Sequence, residues 1–310
     1  MKNKPDFTDT IEEWSNFFIP LHDGVQLAAR AWLPINAIEQ PVPAILEYIP
    51  YRKRDGTAIR DEQMHPYWAA FGYACVRVDI RGSGESDGLL LDEYLQQELE
   101  DAVEVIGWLE HQDWCSGKVG MMGKSWGGFN SLQVAALRPV ALKAIITVCS
   151  TDDRYADDCH YRGGALLIEN FSWASTISCY MAKSPDPLLL PETWREHWLE
   201  RLQNIPLFAR NWLEHTYKDA YWKHGSINED YSAIEAAVYC VGGWGDAYSV
   251  AIPRIIQGLS GPKKALIGPW AHKYPNFASP KPEMDFLAEA KRWWDYWLKG
   301  INNGIMDEAV

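Results

Sequence analysis

The run Gly123-Lys124-Ser125-Trp126-Gly127 sets a hydroxyl between two glycines, each two positions away. That spacing suits nucleophilic chemistry. A serine on a sharp strand-to-helix turn presents its hydroxyl from strained backbone, and the glycines leave room for the chain on either side. A helix starting just after the serine aims free N–H groups and a partial positive charge at the reacting oxygen. The N–H of Trp126 then serves as an oxyanion donor. A G-x-S-x-G arises by chance in roughly one chain in ten of this length, so its surroundings decide. Lys118–Met122 reads as a short buried strand and Asn130–Leu137 as a helix of good formers. That is the context the motif requires.

Ser125 needs a base and a group to orient it. In an α/β-hydrolase these follow as acid and then histidine, each in a loop after a strand. Asp246 lies in Gly242-Gly243-Trp244-Gly245-Asp246, after the apolar run Val238–Val241. His272 lies in Gly268-Pro269-Trp270-Ala271-His272, after Ala265–Ile267. Both sit at strand exits, in the expected order. His22, His65 and His111 precede the serine, and His160, His197, His215 and His224 follow no strand. These seven read as surface or packing residues. Asp285 comes after His272 and fits the order poorly. The chemistry predicted for Ser125, Asp246 and His272 is acyl transfer through a covalent intermediate.

The positioning elements follow from the apolar pattern. Residues 11–33 read as an antiparallel start around the turn His22-Asp23-Gly24. Buried strands are expected at 44–49, 74–80, 142–148, 236–241 and 264–267, with helices near 66–71, 99–109 and 283–298. The glycine-rich exit Arg81–Gly88 lacks the lysine and following helix of a phosphate loop and reads as structural. Strands alternating with helices imply a mostly parallel sheet covered on both faces, with ligands beyond its carboxyl edge. The expected architecture is an α/β-hydrolase core in two parts, residues 11–150 and 234–304. A helical cap is expected between them at 151–233, where Trp, Tyr and His are frequent and β-branched runs are few.

Composition narrows the class. The chain has 310 residues, 47% hydrophobic and 23% charged, as in ordinary globular proteins. A net charge of −13 argues against nucleic-acid or acidic-membrane partners. No apolar run of membrane-spanning length occurs, and no apolar segment follows Met1-Lys2-Asn3-Lys4 as a signal peptide would require. Six scattered cysteines, none in C-x-x-C spacing, read as free thiols of a reduced, cytoplasmic protein. Asp152-Asp153 and Asp157-Asp158 lack the glycine and terminal glutamate of a calcium loop. No metal or cofactor is expected.

Taken together, Pro50-Tyr51-Arg52-Lys53, Arg81-Gly82-Ser83-Gly84-x-Ser86-x-Gly88, Gly123-Lys124-Ser125-Trp126-Gly127-Gly128, Gly242-Gly243-Trp244-x-Asp246 and Gly268-Pro269-Trp270-x-His272 resemble the cocaine esterase and X-Pro dipeptidyl-peptidase family of serine hydrolases. The resemblance runs over residues 11–304. It implies that Tyr51 supplies a second oxyanion donor beside the Trp126 N–H, and that Trp173 and Tyr248 line an aromatic acyl pocket. It also implies a C-terminal jelly-roll domain that helps wall the site. Such a domain is expected to be absent here, which leaves part of the aromatic stripe Trp293, Trp294 and Trp297 open to an oligomer partner or to that domain.

Three functions compete at this stage. The first is an acyl hydrolase acting on small esters or amides. The second is an aminopeptidase releasing X-Pro dipeptides from short peptides, with Asp153, Asp157 or Glu169 holding the free amine. The third is a non-catalytic binding protein on a hydrolase fold. Such proteins usually lose a member of the triad, whereas all three residues are present here.

Overall fold

A computed structural model describes residues 10–308. The chain opens with β1 (Ile11–Pro20), β2 (Gln26–Pro34) and β3 (Val42–Ile49), then α1 (Ala58–Ala70) and β4 (Ala74–Asp79). Next come α2 (Gln96–Glu110), β5 (Cys115–Lys124), α3 (Trp126–Ala136) and β6 (Leu142–Val148). A short hairpin, β7 (Tyr161–Arg162) and β8 (Ala165–Leu166), leads into four helices. These are α4 (Glu169–Met181), α5 (Trp194–Asn204), α6 (Phe208–Glu214) and α7 (Ala220–Lys223). The sheet resumes with β9 (Ala237–Gly243), α8 (Ala251–Gly258) and β10 (Lys263–Gly268), and α9 (Phe286–Lys299) follows.

Eight strands form one sheet in the order β1-β2-β4-β3-β5-β6-β9-β10. β1 and β2 pair antiparallel, as does β2 with β4, and all later pairs are parallel. Side chains alternate between faces along a strand, which splits the apolar residues into two cores. Val238 and Cys240 of β9 join α2, α3 and α8 on one face. Tyr239 and Val241 join α1 and α9 on the other. Burial on both faces explains why these strands are continuous apolar runs. Among the described residues, the segment between β6 and β9 adds no strand to this sheet.

Several boundaries differ from expectation. α1 starts at Ala58 rather than at Pro66, which lies inside the helix. The helix is pinned by its buried face, Asp61, Met64, His65 and Trp68. α9 starts at Phe286 because the Asp285 carboxylate accepts the N–H of Ala288 at 3.1 Å and caps it.

The aromatic stripe divides between covered and partly open positions. Trp293 and Trp294 are fully buried, and only Trp297 is half-buried. Trp294 packs on β5 where Gly120 leaves space, and Trp293 meets Tyr239 with ring centroids 5.1 Å apart. The sheet takes up Trp293 and Trp294.

Candidate active site

The turn at Ser125 is made by one residue. β5 ends at Lys124, α3 begins at Trp126, and Ser125 has φ 59° and ψ −120°. Positive φ costs a non-glycine residue on the order of 1–3 kcal/mol. The surroundings hold it there. Its N–H donates to Val148 of β6 at 2.8 Å, and its carbonyl accepts from Gly128 and Phe129 at 2.7 and 2.9 Å. A Cβ on Gly123 would lie 2.5 Å from the Cα of Gly127. The two motif glycines are the points where incoming and outgoing chain touch.

Asp246 and His272 leave the ends of β9 and β10, and their loops are laced together. Trp244 N–H donates to Gly268 at 2.8 Å, and Gly245 N–H to Trp270 at 3.0 Å. The His272 Nδ1 lies 2.9 Å from Asp246 Oδ1. Burial alone would raise the Asp246 carboxyl, but the hydrogen bond and charge of His272 outweigh it and hold the pKa below the ordinary value. Lys124 Nζ, one residue before the serine, donates to the His272 carbonyl at 3.4 Å. Ser125 and the His272 ring are not hydrogen-bonded to each other in this geometry. Such contacts often tighten only when substrate fills the site.

A cavity of about 240 Å³ opens at Ser125. Tyr51, Trp126, Trp173 and Tyr248 line it, so four side chains named from the sequence meet at the serine. Tyr51 packs edge-on to Trp126 and Trp173, with ring centroids 6.4 and 6.3 Å away. Burial raises its hydroxyl pKa well above the ordinary value. That hydroxyl makes no hydrogen bond with the described residues and is free to donate. Tyr248 lies 5.8 Å from the His272 ring, centroid to centroid, and donates to Asp158 at 2.8 Å.

The same wall holds carboxylates that sequence reasoning missed, Glu93 and Asp158. Glu93 accepts from the Trp173 indole and pairs with His160 Nε2 at 2.8 Å. Burial would raise its carboxyl, yet the charge and hydrogen bond of His160 hold it low. Burial raises that of Asp158. Glu98, beneath the cavity, accepts from the Trp126 indole at 2.7 Å. Glu93 lies 67 positions from His160 and 80 from Trp173, so no local spacing marks it. Of the acids considered for an amine, Glu169 lines the cavity. Asp153 is engaged by Lys218 at 2.9 Å and Asp157 by Arg254 at 2.9 Å.

Among the described residues, three groups bring His with Cys or carboxylate atoms within 4.8 Å. They are Cys149/Asp246/His272, Asp158/Cys159/His160 and Glu47/Asp61/His65. In each, the carboxylates already hold donors: His272 on Asp246, Tyr248 on Asp158, and Arg60 on Glu47 and Asp61. No helix of the described residues is long and apolar enough to cross a membrane.

Comparison with known proteins shows the family. The family model for the X-Pro dipeptidyl-peptidase (S15 family) matches residues 23–274. A cocaine esterase from Rhodococcus sp. (strain MB1 Bresler) is 28% identical over 284 residues, covering 83% of this chain and 48% of that protein. A putative Xaa-Pro dipeptidyl-peptidase from Bacillus anthracis is 25% identical over 321 residues, covering 92% and 51%. The chain thus spans about half the length of the curated relatives it matches. In fold it is similar to a CocE/NonD family hydrolase from Staphylococcus aureus, with a TM-score of 0.76 at 19% identity, covering 96% of this chain and 52% of that one. The strand order, the turn at Ser125 and the extent of the family match lead to one conclusion: this chain has an α/β-hydrolase fold and belongs to the X-Pro dipeptidyl-peptidase (S15) family.

Proposed function

We propose that the chain is a serine hydrolase that cleaves carboxylic ester or amide bonds through an acyl-enzyme. His272 Nε2 takes the Ser125 proton as Oγ bonds to the acyl carbon. Asp246 holds the tautomer with its proton on Nδ1 and stabilises the imidazolium. The Trp126 N–H and the Tyr51 hydroxyl receive the oxyanion. His272 then protonates the leaving alcohol or amine, and water, deprotonated by His272, releases the acid and frees Ser125. Residues 151–233 act as a cap over the serine. The observation that supports this reading most strongly is the strained Ser125 elbow opening into a cavity beside the His272–Asp246 pair.

The carboxylates in the cavity favour a second reading within the same chemistry. Glu93, Asp158 and Glu169 line the cavity and suit a substrate with a positive charge on its acyl side, such as the free amine of a dipeptide. The chain is then an aminopeptidase of the X-Pro type.

Labelling with a fluorophosphonate probe tests the shared chemistry. Wild type is expected to label, and Ser125→Ala and His272→Ala are not. A folded wild-type chain that fails to label would overturn it. Cleavage of an X-Pro anilide with a free amine, but not of its N-acetyl form, selects the second reading.

A further inference from the structure

A second cavity of about 370 Å³ adjoins the catalytic loops. Lys124, from the position before the nucleophile, and Lys273 and Tyr274, from the two positions after the base, line it together with Arg60 of α1. The chain neighbours of both Ser125 and His272 therefore form its wall. A third hollow shares lining residues with both this cavity and the one at Ser125. Asp55 and Gly56 line both the second cavity and that hollow, and Thr176 lines both the hollow and the cavity at Ser125.

Its charges do not balance. Arg60 is engaged by Glu47 and Asp61, each at 2.5 Å. Asp55, the one carboxylate in the wall, is engaged by Arg52 at 2.9 Å and Lys183 at 2.7 Å. Half-buried Lys124 reaches only the His272 carbonyl, at 3.4 Å, although an ammonium has three donors. Exposed Lys273 makes no ion pair or side-chain hydrogen bond with the described residues. Burial, and then the charges of Arg60 and Lys273, lower the Lys124 pKa against the pull of Cys149 and Asp246. The chain carries a net charge of −13, yet these two lysines face one cavity without a carboxylate of their own. Like charges gathered in a recess concentrate anions there.

We propose that this cavity receives a carboxylate carried by the leaving group, so that preferred substrates are acyl derivatives of amino acids or hydroxy acids. The proposal rests on Ser125 as nucleophile. Ser125 Oγ bonds to the acyl carbon as the C–N or C–O bond to the leaving group breaks. The leaving group takes its proton from His272 and departs as the free amino or hydroxy acid. Its carboxylate stays paired with Lys124 and Lys273 throughout. Water then resolves the acyl-enzyme.

Two aryl esters test it: 3-acetoxybenzoate and its methyl ester, which share a leaving group except for the charge. The charged ester is expected to have the higher kcat/KM, by about 10-fold at low salt, and the ratio should shrink as salt rises. Lys273→Gln should bring the ratio toward one, and Lys273→Arg should retain it. A wild-type ratio of one or less, or a ratio unmoved in Lys273→Gln, overturns the assignment. Parallel fluorophosphonate labelling separates the failures. Labelled Ser125 with no charge preference, either in hydrolysis or in protection from the probe, overturns this cavity alone. An unlabelled Ser125 with both esters intact overturns the nucleophile and this assignment with it.

Discussion

Nδ1 of His272 and Oδ1 of Asp246 lie 2.9 Å apart, across two loops that backbone hydrogen bonds lace together. The pair is therefore set by the ends of β9 and β10 rather than by flexible chain. The serine that would use it follows β5, two strands from β9 and three from β10 in the sheet.

Asp246→Asn keeps the shape of this pair but favours the wrong histidine tautomer. Hydrolysis of an aryl ester is expected to fall by about 10⁴-fold in kcat, with KM little changed. Steady-state kinetics beside wild type would check this, and a loss below tenfold would remove Asp246 from the mechanism.

Tyr51→Phe deletes one hydroxyl and leaves the ring packed on Trp126, Trp173 and Tyr180. If that hydroxyl meets the oxyanion, kcat drops about 10²–10³-fold with a minor change in KM. A purely packing role for Tyr51 would leave kcat near wild type.

Glu98 sets a pH signature on stability. Burial raises its carboxyl from 4.5 to about 7, despite donors from Trp126, Asn130 and the Tyr94 N–H. Between those values the unfolded chain has lost the proton and the folded chain keeps it. Stability should therefore fall as pH rises through this window and level off above it. Thermal midpoints from pH 4 to 8 would show the fall in wild type and a flatter curve in Glu98→Gln. Parallel curves would mean that Glu98 titrates alike in both states.

Gly120→Ala tests how the last helix seats. The added Cβ would come 2.7 Å from Cζ3 of Trp294 and 3.1 Å from Leu298. Overpacking of this kind costs about 1–3 kcal/mol, readable in a urea midpoint. Trp294→Phe in the same chain should recover part of the loss, whereas strictly additive losses would show that the two side chains do not clash.

Parts of this architecture were readable because burial on both faces leaves a local trace. The strand at 142–148 was expected at its observed limits, since every position but Lys143 is buried. The elbow was readable for a different reason, because its backbone path admits only glycine at Gly123. α1 was shortened because its buried face carries Asp61 and His65, which Arg60 and Glu47 satisfy through space. Glu93 and Asp158 were missed for the same reason. Their partners lie on other elements, and a buried ion pair distant in sequence has no periodicity to read. Which part of the Trp293, Trp294 and Trp297 stripe is covered was not readable, because a helix stripe does not say whether sheet or solvent faces each position.

The distance along the chain between Lys124 and His272, 148 positions, bears on how the protein is made. The strand that leads to Ser125 lies near the middle of the sheet, and His272 follows the edge strand β10. The residues through β10 and the loop after it must leave the ribosome before these parts can meet. Under the proposed mechanism, reactivity at Ser125 waits for β10, and it reports on completion of the whole sheet rather than on the turn that carries it.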